Sequence, residues 1–95
     1  MKPFMNFGEA LIALKAGRAI ARSAWKGGTG RDAFLLLIPG STFEVSEGRP
    51  MAAHFSPGTK VSYHGHIDMK TASGYVMPWT PTQADLLEED WMVLS

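Results

Sequence analysis

The chain predicts an α+β fold: a small antiparallel sheet with two helices packed on it, in a single domain. Three observations carry that expectation. Apolar residues recur at helical spacing behind a capping residue near each end of the chain. The runs between them are short, and either alternate or are continuously apolar, as strands are. The connections are of hairpin length, too short for the crossovers of a parallel doubly wound sheet. With 95 residues there is room for one core only.

Taken in order, Asn6 with Glu9 three positions on resembles a capping box. Phe7, Leu11 and Leu14 follow at helical spacing with Ala10 and Ala13 beside them, and Gly17 supplies the left-handed stop, so a first helix spans 6–16. Arg18 to Arg22 alternates as a strand would. Ser23 to Arg31, SAWKGGTGR, holds three glycines and reads as a turn. Ala33 to Ile38 is an apolar run bounded by Asp32 and Pro39-Gly40, the pattern of a strand buried on both faces. Residues 40–65 are an excursion rich in Gly, Pro, Ser and Thr, with one or two short strands among Phe43, Val45, Phe55, Val61 and Tyr63.

From His66 the pattern sharpens. His66, Asp68 and Lys70 alternate with Ile67, Met69 and Thr71, giving one polar and one apolar face. Ser73-Gly74 turns the chain and Tyr75-Val76-Met77 returns as the hairpin partner. Thr80 then caps a second helix with Pro81 at its first position and Gln83 three after the cap. That helix is expected to run to about Glu89, with Ala84, Leu86 and Leu87 facing inward. Trp91 to Val93 forms a last strand.

Composition restricts the function. Nine basic and nine acidic residues without a run of like charge do not concentrate the positive field that a nucleic-acid polymer requires. A small anion, which needs one or two positive groups, remains possible. Zero cysteines exclude disulfides and thiolate metal sites and suit a reducing cytosol. The start, MKPFMNFGEAL, is too polar for a signal peptide, and AFLLLIP is too short to span a bilayer. A soluble, cytoplasmic protein is expected. A domain this small gains buried area by self-association, and 11% aromatic residues with six Met offer the surface for a homo-oligomer.

Catalytic sets find no support. Glu88, Glu89 and Asp90 are consecutive and point apart, which reads as a solvated helix end. GGTG at 27–30 lacks the Lys-Ser or Lys-Thr of a phosphate loop. His54, His64, His66 and Asp68 fit polar positions on a half-exposed strand better than a metal site. No cofactor or metal is expected.

The tryptophans are more informative. Trp91 leads an apolar strand and reads as core. For Trp25 and Trp79 ligand contact and core packing stay open. A ring beside a helix N-terminus, as Trp79 would be, can stack on a base while helix amides face a phosphate. Gln83 and Asp85, in the first turn, offer groups for a base edge or ribose hydroxyls, though Asp85 also suits the helix dipole.

In combination the motifs NFGEAL, RxxWxG, DMKTAxG, PW and QxDLLxxDW resemble the Thoeris anti-defence two-like family of small phage proteins. The likeness covers nearly the whole chain except the loop at about 41–65, the family's variable region, where ligand choice or an extra site is set. It implies a sponge that binds the cyclic ADP-ribose isomer made by TIR-domain enzymes of Thoeris immunity and does not cleave it. It also implies a homotetramer with ligand sites between subunits, and similarity to sponges for cyclic oligonucleotides of CBASS immunity that use a separate site. The candidate ligand-binding set is Phe7, Arg22, Trp25, Lys26, Met69, Trp79, Gln83 and Asp85. Within it the rings stack, Arg22 or Lys26 meets phosphate, and Gln83 and Asp85 meet ribose or base. Trp25 and its turn would complete the pocket, contributed from another subunit. The alternatives are a phosphodiesterase or glycohydrolase acting on the same signals, and an oligomeric scaffold that blocks a host protein.

Overall fold

Asn6 begins the first helix by holding an extended backbone while its side chain accepts the amide of Glu9 at 2.8 Å; its own amide donates to the Glu9 carboxylate at 3.0 Å. This capping box satisfies two amides that have no partner within the helix, and α1 runs from Phe7 to Lys15. At the other end Gly17 takes φ of 94°. Its amide bonds Leu14 and that of Arg18 bonds Ala13, the paired closure that only a left-handed residue permits cheaply. The computed structural model describes residues 4–25 and 33–94. The Gly-rich turn beyond Trp25 therefore lies outside the described residues.

Strands β1 (Ile20–Arg22), β2 (Phe34–Ile38), β5 (His66–Lys70), β6 (Val76–Pro78) and β7 (Trp91–Val93) form a sheet in the order β6-β5-β2-β1-β7. Every pairing in it is antiparallel. Thus the fold is α+β: a small antiparallel sheet with two helices. The turn between β5 and β6 uses Gly74 at φ 98°. The amide and carbonyl of Trp91 exchange hydrogen bonds with Met5 at 3.0 and 2.8 Å, so the residue before the α1 cap closes the edge beyond β7.

Partners in register share a face, so Ile20, Leu35, Ile67, Met69, Trp91 and Val93 lie on the helix side. There Ala10 and Leu14 of α1 join Ile20, Leu35 and Trp91 in a fully buried core. The expectation that the β2 strand is buried on both faces is corrected. Leu35 is buried, but Leu37 is exposed and the other three residues are half-buried. Both helices lie on one side, so Phe34, Leu36 and Ile38 share the other face with Lys70, Asp68 and His66. The Lys70 ammonium stands 5.6 Å from the centre of the Phe34 ring.

The excursion holds two strands, β3 (Ser41–Glu44) and β4 (Lys60–Tyr63), and a 3₁₀ turn at Pro50–Ala53. It is no separate loop. Pairing steps one residue at a time from Phe34 with Lys70 to Ile38 with His66, and resumes without slip from Ser41 with Tyr63 to Glu44 with Lys60. The excursion is therefore the β2–β5 hairpin continued past an interruption at Pro39-Gly40 and His64-Gly65. Proline lacks the amide a ladder needs, and the two glycines let the backbones approach closely there. The resulting arm explains a radius of gyration of 16.7 Å and extents of 53 × 26 × 25 Å, where a compact chain of this length would have about 12–13 Å.

The second helix differs most from expectation. α2 spans Gln83–Leu87 only, and its cap is Thr82, whose side chain accepts the Asp85 amide while the Asp85 carboxylate accepts the Thr82 amide. Leu86 and Leu87 are exposed and Asp85 is the buried residue. The cause is an ion pair that turns the acidic side of this short helix inward.

Candidate functional site

Four of the candidate residues meet on the helix side of the sheet. Phe7, on the first turn of α1, stands 5.2 Å from Trp91 and 6.0 Å from Trp79, centroid to centroid. Trp25 reaches Trp91 at 5.2 Å and Trp79 at 6.4 Å, both edge to face. Trp79 completes the ring of contacts at 6.1 Å from Trp91. Met69 packs against the same core from β5. Trp91 is the buried base of this group, whereas Phe7, Trp25, Met69 and Trp79 are half-buried. These separations and tilts lie in the range favoured by aromatic pairs, and part of each outer ring stays open.

Local structure puts each ring there. Trp79 follows β6, and its amide bonds the carbonyl of Ile67 at 3.0 Å. Trp25 ends a 3₁₀ turn, Ser23–Trp25, that starts where β1 stops. Trp25 and Trp79 of the same chain are thereby in contact.

Arg22 and Asp85 are also brought together, but to each other. The Arg22 Nη1 donates to Asp85 Oδ1 at 2.9 Å and its Nε to Asp90 Oδ1 at 2.9 Å. The second Asp85 oxygen accepts the Thr82 amide at 2.8 Å. Burial disfavours the Asp85 charge, yet the bonds from Thr82 and Arg22 outweigh it and hold the carboxyl below the usual carboxylate range. Asp90 behaves alike: burial opposes its charge, and Arg22 with the Ala24 amide more than compensates. The bond to Asp90 is the largest influence on Arg22 and raises its affinity for a proton further. Asp90 is thus part of a half-buried network, not of a solvated acidic end; Glu88 and Glu89 are the exposed ones.

The capping box of the five-residue α2 engages the amides of Thr82 and Asp85. Gln83 is exposed at its start, and Lys26 lies outside the described residues. Asp90 was missed because its partner is 68 positions away. The available signal was Arg22 itself: an arginine next to Ile20 and Ala21 in a core strand requires a counter-charge.

A concavity of about 490 Å³ lies on the arm, lined by residues that include Phe43, Arg49, Met51 and Tyr63. The Phe43 and Tyr63 rings are stacked at 5.5 Å and Val45 is buried beside them. Of the histidines, His66 Nε2 stands 3.4 Å from Asp68 and its Nδ1 3.2 Å from the His64 carbonyl. Among the described residues no three His, Cys, Asp or Glu side chains could share a metal ion, and no helix is long and apolar enough to cross a membrane.

Comparison with known proteins returns the same family from two directions. The Tad2-like profile, described as the Thoeris anti-defense 2-like domain, matches residues 5–94. A protein named Thoeris anti-defense 2 from Bacillus phage SP01 is 34% identical over 95 residues, with 100% of each chain covered.

Proposed function

The chain belongs to the Thoeris anti-defense 2-like family and so to phage anti-defence proteins, and from that premise we propose that it binds and sequesters cyclic nucleotide immune signals without cleaving them. The ligand is the cyclic ADP-ribose isomer of Thoeris immunity, taken at the aromatic cluster. The observation that supports this reading is the convergence of half-buried Phe7, Trp25, Met69 and Trp79 on one buried tryptophan. Such a surface presents faces for an adenine ring. A sponge works by stoichiometry, so nanomolar affinity, about 12 kcal/mol, is the requirement. Stacking at roughly 1–3 kcal/mol per base contributes part of it; polar contacts such as that of exposed Gln83 to ribose or base add to it. Arg22 and Asp85, already committed to each other, frame the cluster from behind.

The arm supports a second specificity. Its concavity has the volume of a small-molecule site, and its aromatic pair with Arg49 at the rim suits a cyclic oligonucleotide of CBASS immunity. The protein is further proposed to act as a cytoplasmic homotetramer. Exposed Ile12, Tyr75, Val76 and Leu87, the open face of the sheet and the projecting arm are the surfaces available to it.

Calorimetry with cyclic ADP-ribose isomers and with cyclic di- and trinucleotides tests the binding, and absence of heat from all of them would sink it. Boiling the complex and weighing the released ligand tests sequestration. Intact signal is expected; an altered mass would make the protein a phosphodiesterase or glycohydrolase. Recovery of a stoichiometric host protein with no small molecule would favour the scaffold instead. Native mass spectrometry of protein from signal-producing cells reads the tetramer and its cargo together.

A further inference from the structure

We infer that Asp90 is a positioning residue for the aromatic cluster, acting through Trp25; the effect on ligand rests on the reading above, the effect on Trp25 does not. Asp90 engages three successive residues of the other end of the chain. Its Oδ1 accepts Arg22 Nε at 2.9 Å, and its Oδ2 accepts the Ala24 amide at 3.1 Å and the Ser23 hydroxyl at 3.3 Å. Its backbone carbonyl accepts the Ser23 amide at 2.9 Å. The next residue is Trp25.

The first amides of a 3₁₀ turn have no partner within the turn. Here they belong to Ser23 and Ala24, and the aspartate takes both, so the turn is capped by the residue before β7 and not by its own preceding residue. The Ser23 amide makes the last bond in register with the β1–β7 pairing, so beyond Ser23 the chain is held by the Asp90 carboxylate and no longer by the ladder. Edge contacts between rings are individually weak and tolerate rotation. The 6.4 Å separation and 69° tilt of Trp25 against Trp79 therefore follow from where Asp90 holds the turn. Arg22 ties the same carboxylate to Asp85, whose carbonyl accepts Trp91 Nε1 at 2.8 Å. One network thus sets the outer ring and its buried base in a common frame.

Asp90→Asn is close to isosteric and keeps the packing, but its NH₂ group must face either Arg22 or the Ser23–Ala24 pair, donor against donor. The experiment records the three tryptophan indole N–H resonances by heteronuclear NMR, assigned with Trp25→Phe, and the affinity for the cyclic ADP-ribose isomer made by a TIR-domain enzyme. In Asp90→Asn the Trp25 resonance is expected to shift and broaden more than those of Trp79 and Trp91. Affinity is expected to fall by about tenfold or more, a loss typical of breaking a charged hydrogen-bond network. Ser23→Ala, which deletes one bond only, should move Trp25 less and in the same direction, and it decides the question if Asp90→Asn does not fold. An unmoved Trp25 resonance would overturn the inference, whatever the affinity does. So would equal shifts of all three indoles, which would make Asp90 a general prop of the fold. A wild-type protein that binds no cyclic nucleotide would refute the proposed function, and the indole shifts would still decide the role of Asp90.

Discussion

Trp91 is fixed from every side: by Met5 through both backbone groups, by the Asp85 carbonyl at its indole, and by the rings of Phe7, Trp25 and Trp79. Emptying such a site costs roughly 3–5 kcal/mol, a large part of the 5–15 kcal/mol typical of a whole domain. Trp91→Ala is therefore expected to unfold the protein or dissociate the proposed tetramer, read by thermal melting and gel filtration; a stable, fully binding variant would refute its core role. Trp79 is half-buried and lies over that base. Trp79→Ala is expected to abolish the proposed ligand binding with the fold intact, and loss of the fold instead would make it core. The role of Trp91 was legible because an apolar strand follows it. Those of Trp25 and Trp79 were not, since each is a ring at the end of an element whose neighbours come from distant sequence.

At the scale of elements, α1 was legible because everything that starts and stops it is local. Asn6→Ala should cost about 1 kcal/mol, seen as a lowered melting temperature. α2 was misplaced because Thr80 and Thr82 both offer caps, and the choice is made by Asp85 reaching Arg22, 63 positions away. That pairing also makes α2 acid-sensitive. Asp85 and Asp90 have lowered values in the folded protein, so their contribution is complete above the ordinary aspartate value of about 3.9. It fades as pH falls below that value through the lowered folded ones. Arg22 is shifted the other way, and its contribution is lost only in strong alkali. The protection factors of the α2 amides are expected to stay constant from neutral pH to about 5 and to fall below about 4. No such fall would show that the ion pairs do not hold α2.

For the molecule as a whole, the arm was the feature hardest to read. Pro39-Gly40 and His64-Gly65 look like ends of strands, and the uninterrupted register across them becomes visible only when both strands are seen side by side. The crossing is tight. A Cβ on Gly40 would stand 2.8 Å from the Tyr63 carbonyl oxygen and 3.2 Å from the Gly65 amide. Gly40→Ala is thus expected to cost about 1–3 kcal/mol, read as a fall in the denaturation midpoint. An unchanged midpoint would mean that the two backbones part easily.

That glycine crossing has a consequence for descent. The five-stranded body is specified on one side of it and the arm, with its own buried Val45 and stacked Phe43 and Tyr63, on the other. Residues added or removed at the far end of the arm leave the pairing of β2 with β5, and hence every side chain facing the helices, where it was. A phage lineage can therefore rewrite the tip and inherit the body unaltered.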